Sequence, residues 1–399
     1  MKICILTSAH SPYDARIFYK EAVTLKKAGY EIVIIAPVQK SMNSLRTGEV
    51  TVDKTGHCCY QRRVSSEGIE ICYVPPFKNR TERFMNIRHV YKNAIREKAD
   101  VYHFHDPDLI PIALKLKKKT GKPVIYDVHE YYADSFRTRH WIPAPLRRVA
   151  AAMFDLMEKR AVRKFSAIIT VNTHMEELFR KYNPVGTVLY NFPLQNQFNF
   201  QRPGEKRLKM DIPTILYLGG INRERGLEVI LDAMSIVKEK HPEAVCEMVG
   251  DIDTGGLSEK YQPIEQWAKK GNIRLRGKVD YKMVPAIMSE STVALVPLLP
   301  TLNYMKAIPV KLIEYMASGL PVIGSCFGYI EKIVKENNCG LLVEPGNPEE
   351  LANAVCRLIE HPREALGFAQ SGWDAFRHKY CWENEELKLI ALYKKILCL

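Results

Sequence analysis

The feature that most restricts this chain is an alternation of short apolar runs with amphipathic segments that occurs twice. Residues 2–8, KICILTS, read as a strand, the segment with Ile17, Ala22, Val23 and Leu25 as a helix ending at Gly29, and EIVIIAP as a second strand. Strand, helix and strand in about 35 residues make one βαβ unit. A less regular stretch, 45–75, interrupts the pattern. It then resumes with an expected helix at 81–98, strand DVYHFH, helix 108–119, strand PVIYDVH, a long helix near 143–164, strand AIITV, helix 174–182 and strand TVLYN. From Phe198 to Lys209 the chain turns polar and irregular, which marks a domain boundary. The alternation then begins again with TILYLGG, RGLEVILDAMSIVKEK and AVCEMVG, followed by helix 258–270, strand NIRLRG, helix 281–288 and strand VALVPL. Two such runs predict an α/β protein of two Rossmann-like, doubly wound domains facing a cleft, at 1–200 and 201–379. The closing stretch, 362–398, reads as helical.

One stretch of the second run packs several signals together: YMKAIPVKLIEYMASGLPVIGSCFGYIEKIV, Tyr304 to Val334. Pro309 suits the first turn of a helix and Gly319 the left-handed residue past its end. Val310, Ile313, Met316 and Ala317 form an apolar stripe, while Lys311 and Glu314, three apart, share another face. LPVIG has the continuous apolar character of a parallel strand buried on both faces. Loops at the carboxyl ends of such strands form the ligand crevice, where helix N-termini offer free N–H groups to phosphate. Glu314, about one turn into its helix, can accept hydrogen bonds from a ribose diol.

KLIEYMASGLPVI, followed by CGLLVEPGNPEELANAV, resembles the C-terminal half of the retaining GT-B glycosyltransferases of family 4. That family carries two glutamates separated by seven residues, and Glu314 matches the second. The position eight residues earlier is Lys306, so the acidic contact to the donor sugar is replaced by a cation at that spacing. The resemblance extends to YLGGINRERG at 217–226, where the family reads G-R-x-x-x-x-K-G. Here Gly220 stands in the arginine position and Arg225 replaces the lysine. On the residues alone, Gly219 and Gly220 let backbone approach a ligand and Arg225 can clamp a diphosphate. Arg223 or Lys311 supplies a second cation. The family's active-site histidine, just after a strand of the first domain, is matched by His129 in YDVHEYYAD; a lone histidine there is otherwise structural. In the GT-B fold the last helix, here about 380–399, crosses back onto the N-terminal domain.

HSPYDAR, at 10–16, resembles an H-x-x-x-D-x-R variant associated with a bacterial branch that makes surface polysaccharides. It offers His10, Asp14 and Arg16 as acceptor-binding groups; the competing reading is a helix start capped by Asp14. HFHDPD, at 103–108, places His103 and His105 on one side of a strand. Spacing fixes no further ligand, so no metal is expected there, and Asp106 or Asp108 reads as a helix cap. Asp251-Ile252-Asp253 spells a DxD triplet of the other glycosyltransferase fold, and in a two-Rossmann pattern it reads as chance.

At 399 residues the chain suits two domains of about 150–200 residues each. No apolar run approaches the ~20 residues of a membrane span. MKICILTSAH has too short an apolar core for a signal peptide and reads as the first strand. The ten cysteines show no CxxC pair and imply reduced, cytoplasmic thiols. A net charge of +13 favours anionic partners. The excess concentrates in Lys78 to Lys98 and Arg137 to Lys164, which also carry Phe84, Ile87, Tyr91, Trp141, Phe154 and Met157. Basic segments with an apolar face read as binding an anionic membrane surface, or else as solvated faces of packed helices. No motif supports nucleic-acid binding.

The resemblance implies a retaining, metal-independent glycosyltransferase without a cofactor. Its donor would be a nucleotide-diphosphate sugar, UDP first and GDP next, bound by Gly219, Gly220, Arg225, Lys306, Lys311 and Glu314. His129 and Glu314 would be catalytic, and the acceptor a saccharide or polyprenyl-linked sugar in cell-surface polysaccharide biosynthesis. The implied location is the bacterial cytoplasm at the inner face of the plasma membrane. The rival readings are a sugar-nucleotide epimerase of the same fold and a non-catalytic glycosyltransferase-like subunit.

Overall fold

The structure, a computed structural model, describes residues 1–38, 61–133, 136, 143–197, 201–205, 212–280 and 283–398. The chain divides into two compact units, Met1–Asn191 with Glu385–Leu399, and Phe192–Asn384.

The first unit is built on one sheet of eight strands: β1 (Lys2–Leu6), β2 (Glu31–Pro37), β3 (Gln61–Val64), β4 (Glu70–Val74), β5 (Val101–Phe104), β6 (Val124–Val128), β7 (Ala167–Thr170) and β8 (Gly186–Val188). Their order is β3-β4-β2-β1-β5-β6-β7-β8. β3 is antiparallel to β4 and the other pairings are parallel. β3 and β4 fall in the stretch read from sequence as irregular. β4, EICYV, has a short apolar core that β2 on one side and β3 on the other convert into a strand. β1, β5 and β6 are buried almost throughout, as parallel strands covered on both faces must be. The sheet reverses direction of travel between β1 and β5, which opens a crevice at their carboxyl ends.

The helix after β1 begins with π-wound turns, Ala15–Ala22, and continues as an α-helix at Val23–Lys27. The looser winding carries Arg16 and Glu21, both buried. Further helices cover Arg80–Glu97, Ile110–Thr120, Ala144–Val162 and Thr173–Arg180. The last helix, Trp382–Leu397, joins this unit from Glu385 onward. Leu389, Leu392 and Tyr393 are buried, whereas Leu387 is 63% exposed.

The second unit holds a fully parallel sheet of β9 (Thr214–Leu218), β10 (Val245–Val249), β11 (Ile273–Gly277), β12 (Val293–Val296), β13 (Val322–Ser325) and β14 (Gly340–Val343). The order β11-β10-β9-β12-β13-β14 puts the switch point between β9 and β12. The helix expected after Pro309 spans Val310–Ala317, with Pro309 as the extended residue before it and Gly319 at φ 62 beyond it. Its buried face is Leu312, Ile313, Tyr315, Met316 and Ala317. Val310 is 38% exposed, so the apolar stripe starts two residues later than its spacing suggests. Tyr315 explains the difference. Its hydroxyl accepts the Leu218 N–H at 2.7 Å, which rolls the helix toward the end of β9.

Candidate active site

In the second unit, the chain leaves β9 at the switch point through Gly219 and Gly220. Gly219 has φ 104, and a Cβ there would lie 3.7 Å from Arg225 Nη1 and 3.8 Å from Lys311 Nζ. Two cations therefore sit over one bare stretch of backbone. Arg225 is placed by a short 3₁₀ turn, Arg223–Arg225, whose N-cap Asn222 accepts the Arg225 N–H at 3.0 Å. Its guanidinium donates from Nε to the Tyr304 hydroxyl at 3.0 Å and from Nη1 to the Gly220 carbonyl at 3.2 Å. Lys311 comes from the first turn of Val310–Ala317 and lies 3.8 Å from the centroid of the Tyr217 ring. Its ammonium is buried without a hydrogen-bond partner. Burial first, then the neighbouring Arg225 charge, push its pKa well below the ordinary lysine value, against the pull of Glu314. An unsatisfied buried polar group costs about 1–3 kcal/mol, more when charged. That cost is recovered when an anion arrives. Of the two candidates for a second cation, Lys311 is the one at the loop, since Arg223 pairs with Glu228 at 3.4 Å.

In the first unit, the carboxyl ends of β1, β5 and β6 carry Thr7 to His10, His105 to Asp108, and His129. Asp106 ties the first two together. Its Oδ2 accepts from the Thr7 hydroxyl at 2.6 Å and from the Ser8 and Ala9 N–H groups at 2.8 and 3.2 Å. Its Oδ1 faces His10 Nδ1 and Arg83 Nη2, each at 3.3 Å. Burial alone would push the Asp106 carboxyl up. The hydrogen bonds from His10 and Thr7, and the Arg83 charge, outweigh it and hold the pKa below the usual carboxylate range. The same pair raises His10 against its own burial. Asp108 accepts from Ser8 Oγ at 2.8 Å and from Arg83 at 2.8 Å. Beside these groups lies a cavity of about 720 Å³ lined in part by His10, Arg83, Phe84, His129, Tyr132 and Met157.

His129 is held from behind. Its Nε2 lies 3.1 Å from His105 Nδ1 and 3.4 Å from Asp127 Oδ2, and its ring centroid is 5.3 Å from that of His10. Asp127 is fully buried and takes a two-pronged bond from Arg16, Nε to Oδ2 at 2.8 Å and Nη2 to Oδ1 at 3.1 Å. Those charges keep Asp127 well below the ordinary carboxylate range although burial opposes it.

Part of the sequence-based site is placed differently. Arg16 is buried, with its guanidinium occupied by Asp127 and the Leu189 carbonyl, so it does not face solvent as an acceptor-binding group would. Asp14 caps the helix by accepting from the Arg16 and Ile17 N–H groups, the competing reading of that loop. Lys306 ends the short helix Leu302–Lys306 with an exposed side chain. Of Asp106 and Asp108, one of which the sequence offers as a helix cap, Asp106 makes no side-chain cap bond to the turn that follows it. Asp253 of the DxD triplet accepts from the Gly255 N–H at 2.9 Å, a turn contact.

Residues 15–192 match the model of Glycosyltransferase Family 4, and residues 212–361 that of Glycosyl transferases group 1. The protein is a family-4-like glycosyltransferase of the GT-B fold. Among its relatives, the MMP alpha-(1->4)-mannosyltransferase of Mycolicibacterium hassiacum is 22% identical over 300 residues, 73% of this chain and 70% of that protein. The alpha-D-kanosaminyltransferase of Streptomyces kanamyceticus is 21% identical over 69% of this chain and 71% of its own length. The sucrose-phosphate synthase of Thermosynechococcus elongatus superposes over 100% of this chain and 99% of its own, with TM-score 0.71 and 18% identity. Anabaena HepE, solved in complex with UDP-glucose, gives TM-score 0.67 at 13% identity, covering 99% of this chain and 100% of its own.

The glycosyltransferase also carries an unusual surface. On the helix Ala144–Val162, Leu146, Val149, Met153 and Leu156 are all at least half exposed, at helical spacing. Arg147, Arg148, Arg160 and Lys164 lie on or just beyond the same helix, and Phe84 and Met85 on Arg80–Glu97 are exposed as well. Of the apolar positions read from the basic segments, Ile87 is instead buried, while Trp141, Arg137 and Arg139 lie outside the described residues. Among the described residues no helix of this glycosyltransferase is long and apolar enough to cross a membrane.

Proposed function

We propose that this glycosyltransferase transfers a sugar, with retention at the anomeric carbon, from a UDP-sugar, or next a GDP-sugar, to a saccharide or polyprenyl-linked acceptor in cell-surface polysaccharide synthesis. The observation that carries the donor reading is the pair of cations over Gly219–Gly220, one of them a buried ammonium without a hydrogen-bond partner. A diphosphate there would be held by Arg225, Lys311 and the free N–H groups at the start of Val310–Ala317, with Glu314 on the ribose. Lys306, exposed at the end of its helix, is assigned to the sugar side of the donor.

Fixed positive charge at the leaving group lowers the barrier because it needs no reorganisation as negative charge develops on the diphosphate. This reading uses the two side chains for that task and calls on no metal. The acceptor hydroxyl attacks from the face the diphosphate leaves, and a departing phosphate oxygen takes the hydroxyl proton. His129 contacts the donor sugar, with Asp127 and His105 fixing its ring. Apart from His129, the residues up to about 200 serve the acceptor, with His10 at the cavity, and the later ones serve the donor. UDP-bound HepE and the Escherichia coli trehalose-6-phosphate protein bound with UDP-2-fluoro glucose support a nucleotide-sugar donor. The exposed apolar stripe with its basic neighbours on Ala144–Val162 supports attachment to an anionic membrane.

A thermal-shift panel of UDP-, GDP-, ADP- and TDP-sugars tests the reading. One donor at a hundred times its Kd should stabilise the wild type by about 2.7 kcal/mol, and Glu314→Ala should lose that response. Absence of any response from the whole panel would overturn the donor assignment. Co-sedimentation with vesicles containing anionic lipid, lost in Met153→Glu/Leu156→Glu, tests the membrane part separately.

A further inference from the structure

We propose that Glu21, His103, His105 and Asp127 form a zinc site buried inside the first unit, separate from the donor site. The sequence reading sets a metal aside because HFHDPD alone fixes only two ligands. The fold supplies the rest from two distant segments: Glu21 from the π-wound turns after β1, and Asp127 from β6. One ligand atom from each of the four residues can be chosen so that all lie within 4.8 Å of one another, and all four residues are buried.

The orientation of the two imidazoles is what points to a ligand. His103 has its Nδ1 2.9 Å from the Tyr393 hydroxyl, and His105 has its Nδ1 3.1 Å from His129 Nε2. In each ring one nitrogen is thus engaged, and the other, Nε2, is turned toward Glu21 with no hydrogen-bond partner. Metal-bound histidines are arranged this way. The second nitrogen donates to a carboxylate or other acceptor, fixing the tautomer and the ring angle. Glu21 meets them from the opposite side: its Oε2 lies 3.6 Å from His105 Nε2 and 3.8 Å from His103 Nε2, and neither of its oxygens makes a hydrogen bond.

These separations exceed a hydrogen bond yet suit a small ion in the middle. Tetrahedral zinc with bonds of about 2.0–2.1 Å holds its donors roughly 3.3 Å apart, close to the 3.6 and 3.8 Å from Glu21 Oε2 to the two imidazoles and a further contraction of the set that lies within 4.8 Å. Two imidazoles with carboxylate oxygens form a donor set suited to zinc rather than to calcium or magnesium, which favour oxygen alone. Arg16 joins the two carboxyl groups, 2.8 Å from Asp127 Oδ2 and 2.9 Å from Glu21 Oε1. The ion would join the helix after β1 to β5 and β6 and, through Tyr393, to the final helix. No reacting group is assigned to it; its role is to hold the wall behind His129.

The full chain should be produced in zinc-supplemented medium, dialysed and analysed by inductively coupled plasma mass spectrometry. About one zinc per chain is expected, with loss of thermal stability on chelation and recovery on adding zinc. Cobalt substitution should give the visible bands of a tetrahedral site. Glu21→Gln should lose the bound metal. Tyr393→Phe keeps the aromatic ring and should weaken zinc by about ten-fold or more in a chelator competition. Wild-type protein that retains no metal and shows no zinc-dependent shift would overturn the site. So would zinc held by either variant as tightly as by the wild type, which would place the ion elsewhere, for instance on the exposed Cys326 or Cys398. If Glu21→Gln does not fold, the wild-type stoichiometry and the Tyr393→Phe affinity still decide.

Discussion

The two units open a crevice at the same topological place, the carboxyl ends of the strands where the order reverses, and furnish it in opposite ways. In the second unit the crevice is made of bare backbone and two cations, one of them underused. In the first, the carboxylates of Asp106, Asp108 and Asp127 are already paired with His10, Arg83 and Arg16, while the buried cluster of Glu21, His103 and His105 keeps unpartnered atoms. The difference teaches what each crevice is built to tolerate. Buried charge that is already paired contributes rigidity and makes little demand on a ligand, while buried charge without a partner stores a demand that only an anion relieves.

The sharpest break in that contrast should come from Arg16→Met. Removing the guanidinium leaves Asp127 buried without its two-pronged partner, and the loss is expected at about 3–5 kcal/mol in denaturant unfolding. Lys311→Met should do the reverse. It removes an unsatisfied ammonium from an aromatic wall, so stability of the ligand-free protein should hold or rise by about 1 kcal/mol. Turnover with the nucleotide sugar should still fall by about 10²-fold, because the charge facing the leaving group is gone. Loss of stability in Lys311→Met would show that the two crevices follow one rule after all.

Smaller effects sharpen the comparison through pH. Glu158, buried and donated to by the Tyr126 hydroxyl at 2.8 Å, has its pKa pushed up to about 7 from 4.5, burial being the main cause. Its folded form keeps a proton that the unfolded chain gives up. The stability associated with it is complete below about pH 4.5, declines as pH rises and is gone above about pH 7. Glu158→Gln should remove this slope, with stabilities that diverge from wild type by about 3 kcal/mol at pH 8 and converge near pH 4. The smallest effect concerns His10. Its pKa is raised by Asp106, so its contribution is present below its unfolded value near 6.5 and fades as pH climbs through the higher folded value. His10 is 31% exposed, which limits the effect to under about 1 kcal/mol, and His10→Gln should flatten it.

Local signals made much of this legible. Apolar runs and the turns between them located β1, β2, β5 to β7, β9, β10, β12 and β13, because a parallel strand buried on both faces must be apolar along its length; β11, IRLRG at the sheet edge, was located by its alternation instead. The glycines after β9, Arg225 and the helix bearing Lys311 and Glu314 were readable because they lie within a few residues of a strand end. Arg16 was misjudged for a different reason. Whether a cation points outward or pairs inward depends on what stands opposite, and Asp127 is far away in sequence. The same distance hid Glu21 and the role of Asp106; the only hint was that His103 and His105 share one side of a strand. Val310 was misplaced because a hydrogen bond from Leu218 to Tyr315, not the apolar spacing, sets how the helix is rolled.

The last helix has a consequence for how the chain is made. Glu385 accepts the Tyr190 N–H at 3.0 Å, and Tyr393 reaches His103 in the middle of the first sheet. All of Phe192–Asn384 is synthesised between these partners. The unit that leaves the ribosome first is therefore completed last. Its early strands must wait in a partly assembled form while the second unit, contiguous in sequence, can already fold. Such long-range closure slows folding and lengthens the time during which apolar edges are exposed to aggregation or to chaperones.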